Sequence, residues 1–214
     1  MKLKNKNMKK YYAEFGTDKF IIENYFPEKT DGIMVEVGAA GPELMSTSKA
    51  FKELGWRCIC VEPNPKFANE HRKAGNEIYE LALSDKGGKE IEFNIYTSPD
   101  GLHTGESYSC LAERGSYRPI PPTWVPWIKT IKVKVITFNE LLESAGVEKL
   151  DFISIDVEGW ELDVLRGFNA NKYSPKIIVL ENLDHLSQYH NYMKSIGYDL
   201  VKSLQQNEIY ARTE

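Results

Sequence analysis

The chain has 214 residues, of which 42% are hydrophobic and 27% are charged, and this composition is typical of a soluble globular domain with a sizeable core. A net charge of −4 and a pI near 5.7 argue against nucleic-acid binding, which usually needs a basic face. No stretch approaches the length of a membrane-spanning helix, so we expect no membrane span.

We predict a single domain over residues 1–214. Segment 1–12 is rich in lysine and lacks the apolar core of a secretory signal, so it is predicted to be a solvated basic tail. Cys58 and Cys60 lie two residues apart on a predicted strand and cannot easily bridge each other, and Cys110 stands alone. Buried, reduced thiols indicate a cytoplasmic protein.

Helices and strands alternate along the chain. The hydrophobic patterns predict strands at 32–37, 58–62, 77–83, 90–96, 130–135, 150–156, 176–180, 199–204 and 208–211, and helices at 20–26, 46–54, 66–73, 138–144, 161–166 and 184–196. Strands with nearly continuous apolar runs indicate a mainly parallel sheet covered on both faces. The last two strands flank a polar turn and are predicted to form an antiparallel hairpin. The predicted fold is α/β and doubly wound.

Segment 98–129 differs from the rest of the chain, because it is rich in proline and aromatic residues and has little periodicity. A loop of this length in a compact domain is usually functional or disordered, and the aromatic residues favour a lid or an acceptor-binding wall. Its aromatic residues could stack on sugar faces or only anchor the loop; they are Tyr108, Tyr117, Trp124 and Trp127. His103 in this segment is either a base that reaches the acceptor or a surface histidine.

The strongest functional signal lies at the ends of the first two strands. The strand at 32–37 ends in a turn of small residues, and the strand at 58–62 ends in the carboxylate Glu62. In an α/β sheet such a turn lets the backbone approach a nucleoside, while the acid accepts hydrogen bonds from two ribose hydroxyls. The residues predicted to form this nucleoside site are Gly38, Ala39, Gly41, Glu62, Pro63 and Asn64.

The spacing of the glycines indicates which nucleoside is bound. A dinucleotide site needs a third glycine, in the pattern G-x-G-x-x-G, so that a helix N-terminus meets the pyrophosphate. Only Gly38 and Gly41 are present, which disfavours a nicotinamide-dependent dehydrogenase. Glu36 would repel a diphosphate but suits a ligand with an ammonium group and a sulfonium, such as S-adenosylmethionine. Glu36 either orients this ligand or its backbone cradle, or only braces the loop.

Carboxylates also end two later strands. Asp156 ends one of them, Glu158 follows two residues on, and Glu181 follows the next strand. Ligands of open α/β sheets bind beyond the carboxyl ends of the strands, so Asp156 and Glu158 are candidates for the acceptor side. Asp156 could be a general base, or could bind Mg²⁺ together with Glu158 and Glu181. Alternatively, Asp156 or Glu158 only caps the helix that begins near Gly159.

Four blocks of sequence are similar to a known family. They read Val-Glu-Val-Gly-Ala at 35–39, Val-Glu-Pro-Asn-Pro at 61–65, Ala-Leu-Ser-Asp at 82–85 and Ile-Asp-Val-Glu-Gly-Trp-Glu at 155–161. Over about residues 15–183 the chain resembles the FkbM family of S-adenosylmethionine-dependent methyltransferases. The resemblance implies a Rossmann-like class I methyltransferase fold with a seven-stranded sheet, and an adenine bordered by Leu83, Ser84 and Asp85.

The resemblance also implies methyl transfer to a hydroxyl oxygen of a sugar or a polyketide-type natural product. Our first hypothesis is an O-methyltransferase that acts on a small-molecule or glycan acceptor, either a surface polysaccharide or a nucleotide-sugar. A natural-product tailoring O-methyltransferase would have the same fold and donor site. A cofactor-binding or sugar-binding module without activity is the hypothesis from another class.

Overall fold

The computed structural model of the protein describes residues 9–43, 45–97, 109–111 and 127–213. Its elements are, in chain order, a 3-10 turn at Glu14–Gly16, α1 (Thr17–Tyr25), β1 (Ile33–Val37), α2 (Thr47–Glu53), β2 (Arg57–Val61), α3 (Pro65–Lys73), β3 (Glu77–Tyr79), β4 (Ala82–Leu83), β5 (Lys89–Thr97), β6 (Cys110–Leu111), β7 (Trp127–Ile136), α4 (Phe138–Ser144), β8 (Phe152–Ile155), α5 (Glu161–Arg166), α6 (Ala170–Tyr173), β9 (Ile177–Glu181), α7 (Ser187–Ser195), β10 (Tyr198–Leu204) and β11 (Asn207–Arg212). Within these ranges no helix is both long enough and apolar enough to cross a bilayer.

The larger sheet has seven strands in the order β10-β11-β9-β8-β1-β2-β3. Strands β3, β2, β1, β8 and β9 pair in parallel, whereas β11 is antiparallel to both of its neighbours. The prediction of a doubly wound, mainly parallel seven-stranded sheet with a C-terminal antiparallel hairpin is confirmed. The order reverses between β1 and β8, which is where such sheets bind their ligands.

Two buried clusters cover the faces of this sheet. Alternate residues of a strand point to opposite faces, so Met34 packs in one cluster while Val35 packs in the other. The Met34 cluster includes residues of α1 and α2, and the Val35 cluster includes residues of α4, α5 and α7. Because each central strand is buried on both faces, its sequence is apolar throughout, as the prediction of a covered parallel sheet assumed.

A second sheet was not predicted. It has four strands in the order β4-β7-β5-β6, and its longest pairing joins β5 and β7 in antiparallel register from Lys89↔Val135 to Thr97↔Trp127. The prediction of one strand over 77–83 is wrong, since β3 belongs to the large sheet and β4 to the small one. The chain turns between them, where the Leu81 N–H donates to the Tyr79 carbonyl at 3.1 Å.

The small sheet also corrects the predicted lid. Residues 110–111 form β6, and residues 127–129 belong to β7, so the segment 98–129 is not a single loop. Residues 98–108 and 112–126 lie outside the described residues. The predictions for His103, Tyr108, Tyr117 and Trp124 fall in those ranges.

Packed structure begins nearer the N-terminus than the sequence predicted. Helix α1 begins at Thr17 rather than at residue 20, because Gly16 turns the chain with φ +71° and the buried Asp18 carboxylate accepts hydrogen bonds from the N–H groups of Tyr12 (2.6 Å) and Ala13 (3.2 Å). Tyr11 and Tyr12 pack against the cluster that contains Met34. The predicted basic tail at 1–12 is therefore too long at its C-terminal end, and residues 1–8 lie outside the described ranges.

Helix termini follow local hydrogen bonds. Thr137 caps α4 and forms a capping box with Glu140. Helix α7 begins at Ser187 rather than at residue 184, because the Asn182 side chain bonds both the N–H and the carbonyl of Leu186 and closes the preceding loop. The short helix α6, which Asn169 caps, was not predicted.

Candidate active site

A cleft with about 570 Å³ of empty space lies at the carboxyl ends of β1, β2 and β8. It is lined by Val37, Gly38, Ala40, Val61, Glu62, Pro63, Phe67, Leu81, Ala82, Leu83, Phe93, Ser109, Cys110, Leu111, Asp156, Val157, Glu158 and Trp160. Its mixture of apolar walls with a few acidic groups is typical of small-molecule sites. The cleft lies at the reversal of strand order, where the sequence predicted the nucleoside.

Gly38 allows the turn after β1 to lie against the end of β8. Its φ is +78°, and a Cβ at this position would lie 1.7 Å from the Asp156 carbonyl oxygen. The N–H groups of Gly38 and Ala39 donate to the Val61 carbonyl at 3.0 and 3.1 Å, which ties the turn to β2. The glycine is therefore required by close backbone packing between the strands that form the cleft.

We expect Gly38→Ala to lower the free energy of unfolding by about 2–4 kcal/mol, the range for severe steric and backbone effects, as measured by urea denaturation. Gly75→Ala is the matched control, because Gly75 has φ +67° but nothing within 4 Å of its Cβ position. It should cost only about 0.5–1 kcal/mol from the backbone conformation. Equal losses in the two variants would show that the contact with Asp156 is unimportant.

Glu62 is the buried acid of the cleft. One carboxylate oxygen accepts from the Ala40 N–H at 2.9 Å and the other from the Asn64 N–H at 2.8 Å. Burial raises the pKa of Glu62 to about 7. Two carboxylate oxygens offer about four acceptor positions, so this group can also accept hydrogen bonds from two vicinal hydroxyls in the cleft.

The raised pKa of Glu62 predicts a pH-dependent affinity for an adenosyl ligand. Hydroxyls that donate to the ionised carboxylate favour it, so the dissociation constant of S-adenosylhomocysteine should be about 10-fold higher at pH 6 than at pH 8. Isothermal titration calorimetry at both pH values measures this change. Burial lowers the pKa of His71, which contacts the Ala40 carbonyl, below its ordinary value. An unchanged pH dependence in Glu62→Gln would contradict the assignment.

The raised pKa of Glu62 also makes the free energy of unfolding of the ligand-free protein depend on pH. Its pKa is higher in the folded state than the ordinary value of 4.5, so the folded protein binds more protons between pH 4.5 and about 7. The contribution of this group to the free energy of unfolding is therefore present at low pH and is lost as pH rises through that window.

Glu36 lies behind the turn rather than in the cleft. Its buried carboxylate accepts from the N–H groups of Thr47 (2.6 Å) and Ser48 (3.2 Å), and from the Ser46 hydroxyl at 3.3 Å. These hydrogen bonds agree with the alternative prediction that Glu36 braces the loop before α2. The predicted contact with a ligand ammonium is not supported, since Glu36 does not line the cleft.

The three residues predicted to border the adenine are placed differently. Leu83 lines the cleft, whereas Ser84 lies behind it and accepts a hydrogen bond from the Trp160 indole N–H at 3.2 Å. Asp85 is exposed, accepts from the Ser84 hydroxyl at 3.2 Å and does not line the cleft. The turn carries the Asp85 side chain to the surface, and its contact with an adenine stays a prediction.

Other predicted donor-site residues support the cleft from outside. Pro63 lines it, but Asn64 caps α3 by accepting from the Lys66 N–H at 3.0 Å. Ala39 and Gly41 do not line the cleft, whereas Ala40 between them does. The turn therefore exposes its middle residue to the ligand, which the spacing of the glycines could not specify.

The predicted acceptor-side carboxylates meet at the edge of the cleft. Ligand oxygens of Asp156, Glu158 and Glu181 all lie within 4.8 Å of one another, Asp156 being exposed and the other two buried. Negative charges this close repel each other, and a bound cation or a proton relieves the repulsion. The cluster can take up a proton or hold a hard divalent cation.

The small sheet supplies a cleft wall that sequence reasoning missed. Phe93 of β5 and the segment at 109–111 line the same cleft as Glu62. Burial raises the pKa of Cys110 to about 11; a hydrogen bond with Tyr96 lowers it, and the charge of Glu158 contributes to the rise. Trp160 also lines the cleft. No local motif marks these residues, since long-range strand pairing brings them there.

The strand order, the cleft at its reversal and the acid at the end of β2 define a Rossmann-like α/β protein of the methyltransferase type. A sequence profile described as the methyltransferase FkbM domain matches residues 36–200. The chain belongs to the FkbM methyltransferase family, as the four sequence blocks indicated.

A curated relative supports the same family. The chain is 26% identical over 164 residues to the 2-O-methyltransferase NoeI of Sinorhizobium fredii (strain NBRC 101917 / NGR234). The match covers 73% of this chain and 65% of the relative, so this chain spans less than two thirds of that protein.

Proposed function

We propose that this protein is an S-adenosylmethionine-dependent O-methyltransferase whose acceptor is a carbohydrate hydroxyl, in a surface polysaccharide or a nucleotide-sugar. The observation that carries the proposal is the buried Glu62 carboxylate in a cleft whose edge carries the cluster of Asp156, Glu158 and Glu181. Membership of the family supports methyl transfer, and the similarity to NoeI, a 2-O-methyltransferase, supports oxygen as the atom that is methylated.

The residues around Glu62 fit the donor. When bound, S-adenosylmethionine supplies an electrophilic methyl group on a sulfonium. Glu62 would accept hydrogen bonds from the ribose hydroxyls, and the backbone at Ala40 would lie along the ligand. The apolar side chains of Phe67 and Leu83 would pack against the adenine.

Asp156 is the proposed base. It is exposed at the cleft edge, where an acceptor hydroxyl can approach it from solvent. Methyl transfer is an in-line displacement in which the O–C bond forms, the C–S bond breaks and the hydroxyl loses its proton. Alignment can lower the barrier by several kcal/mol, and a positioned base contributes roughly 10²- to 10⁴-fold. His103 is a second proposed base, on the segment outside the described residues.

We propose that the acidic cluster at the cleft edge binds Mg²⁺. The three carboxylates Asp156, Glu158 and Glu181 offer the oxygen ligands that Mg²⁺ prefers, and they lie close enough to share one ion. A cation bound there would acidify the acceptor hydroxyl and would leave Asp156 as a ligand rather than as a free base.

The first experiment is calorimetric titration with S-adenosylhomocysteine, using NAD as the control ligand and repeating the titration with Mg²⁺ and with EDTA. Micromolar binding of S-adenosylhomocysteine alone supports the donor assignment. Transfer of a labelled methyl group to polysaccharides or nucleotide-sugars then tests the acceptor, and loss of transfer in EDTA with recovery in Mg²⁺ supports the metal. Transfer only to sugar-free natural products would favour the tailoring enzyme, and no binding would favour a module without activity.

We also propose that residues 1–214 form one domain and that the protein is cytoplasmic. Cys58, Cys60 and Cys110 are buried free thiols, which suits a reducing compartment. A single unfolding transition seen by two spectroscopic probes would support one domain, and two separated transitions would contradict it.

A further inference from the structure

The loop that carries Glu158 is held by one buried carboxylate. Glu158 has φ +55°, a left-handed conformation that is uncommon for a side chain of this kind. The N–H groups of its two neighbours, Val157 and Gly159, both donate to the same oxygen of Glu161 at 3.1 Å. Glu161 therefore grips the backbone on both sides of Glu158.

The second oxygen of Glu161 is held from another element. The Tyr189 hydroxyl donates to it at 2.6 Å, and both side chains are buried, with 1% and 6% exposed for Glu161 and Tyr189. Tyr189 lies on α7, the helix that follows β9, and β9 ends at Glu181. The hydrogen bond thus joins the loop after β8, which carries Asp156 and Glu158, to the helix after β9, the strand that ends at Glu181.

The hydrogen bond between Tyr189 and Glu161 opposes two effects that destabilise the loop around Glu158. A side chain in the left-handed region is destabilising and persists only where its surroundings hold it. The carboxylates of Asp156, Glu158 and Glu181 also repel one another at their short separation. Without an external brace, the loop would relax by turning Glu158 out of the cluster.

We propose that Glu161 and Tyr189 are positioning residues, which hold Glu158 and Asp156 in the geometry needed at the acceptor side. This inference rests on the proposed methyltransferase function and deepens it, because it assigns residues outside the cleft to the acceptor step. Neither residue lines the cleft. Their effect should therefore fall on turnover and leave donor binding unchanged.

The test is Tyr189→Phe, which removes one hydroxyl and keeps the buried ring. Tyr192→Phe is the matched control, because Tyr192 lies on the same helix and its hydroxyl has no hydrogen bond in the part of the chain that the structure describes. We expect Tyr189→Phe to lower kcat about 10- to 100-fold, the usual effect of losing a group that orients a reactive carboxylate, with the dissociation constant of S-adenosylhomocysteine changed less than about 2-fold. Tyr192→Phe should match the wild type.

Two further measurements separate positioning from stability and from the proposed function. Glu161→Gln keeps a carbonyl acceptor for the two N–H groups and an amide that can donate to Tyr189, so its kcat should lie between those of wild type and Tyr189→Phe. Amide hydrogen exchange at Gly159, measured by NMR, should be about 10-fold faster in Tyr189→Phe than in Tyr192→Phe, whether or not an acceptor is known.

The outcomes are distinct. Wild-type kcat and unchanged Gly159 exchange in Tyr189→Phe would overturn the positioning role. Faster exchange with wild-type kcat would also overturn it, because the brace would then be structural only. If the wild type transfers no methyl group to any acceptor, the proposed function fails, and Gly159 exchange still decides whether the brace exists.

Discussion

Asp156→Asn is expected to lower kcat for methyl transfer by roughly 10²- to 10⁴-fold, the contribution of a positioned general base or of a ligand to an activating ion. The amide keeps the volume of the side chain but cannot take up the hydroxyl proton at neutral pH. The Asp156 backbone carbonyl, against which Gly38 packs, is unchanged, so the cleft should persist. Single-turnover transfer of a labelled methyl group measures the effect.

The dissociation constant of S-adenosylhomocysteine should change less than about 3-fold in Asp156→Asn, since the proposed donor contacts lie mainly at the β1 and β2 ends of the cleft. Asp199→Asn is the matched control, because Asp199 is exposed on the edge strand β10 and far along the chain from the cluster. Wild-type turnover in Asp156→Asn would return this residue to a structural role at the start of α5.

Glu62→Gln is expected to weaken S-adenosylhomocysteine binding by about 1–3 kcal/mol, or about 5- to 150-fold, the cost of losing a charged hydrogen-bond acceptor. The glutamine oxygen can still accept from one of the two N–H groups that Glu62 binds, but its amide then faces the other donor. The ribose hydroxyls would meet an amide in place of a carboxylate. Calorimetry at pH 8, where Glu62 is ionised, gives the full effect.

Glu77→Gln provides the control for that measurement. Glu77 lies on β3, the neighbour of β2, and pairs with Arg57 at the surface, away from the carboxyl end that carries Glu62. It should bind S-adenosylhomocysteine like the wild type. An unchanged affinity in a folded Glu62→Gln variant would remove Glu62 from the donor site.

The sheet and most helices could be predicted because their signals are local. The apolar runs that became β1, β2, β8 and β9 are short and bounded by turn residues, and α4 begins at the Thr137 cap that the sequence marks. Helix starts differ from the predicted ones where a side chain nearby in the chain forms hydrogen bonds with the backbone of the adjoining loop. Because of the Asp18 hydrogen bonds, α1 begins earlier in the chain than predicted, and because of the Asn182 hydrogen bonds, α7 begins later than predicted.

The candidate site could be predicted in part. Glu62 and Asp156 end strands of a parallel sheet, and their proximity follows from the rule that the carboxyl ends of such strands share one edge. The cluster of Asp156, Glu158 and Glu181 follows from the same rule. The brace from Tyr189 could not be foreseen, because it joins residues 28 positions apart through a packed helix.

The sequence by itself determined the α/β class, the small-residue turn after β1 and the carboxylates at the strand ends, because hydrophobic periodicity and turn chemistry act over a few residues. The tertiary structure alone decided that β5 and β7 pair in a second sheet and bring Cys110 to the cleft. It also decided that Glu36 faces the loop before α2 rather than the cleft. Strand pairing and side-chain direction depend on contacts between residues far apart along the chain, and those contacts exist only after the domain has packed.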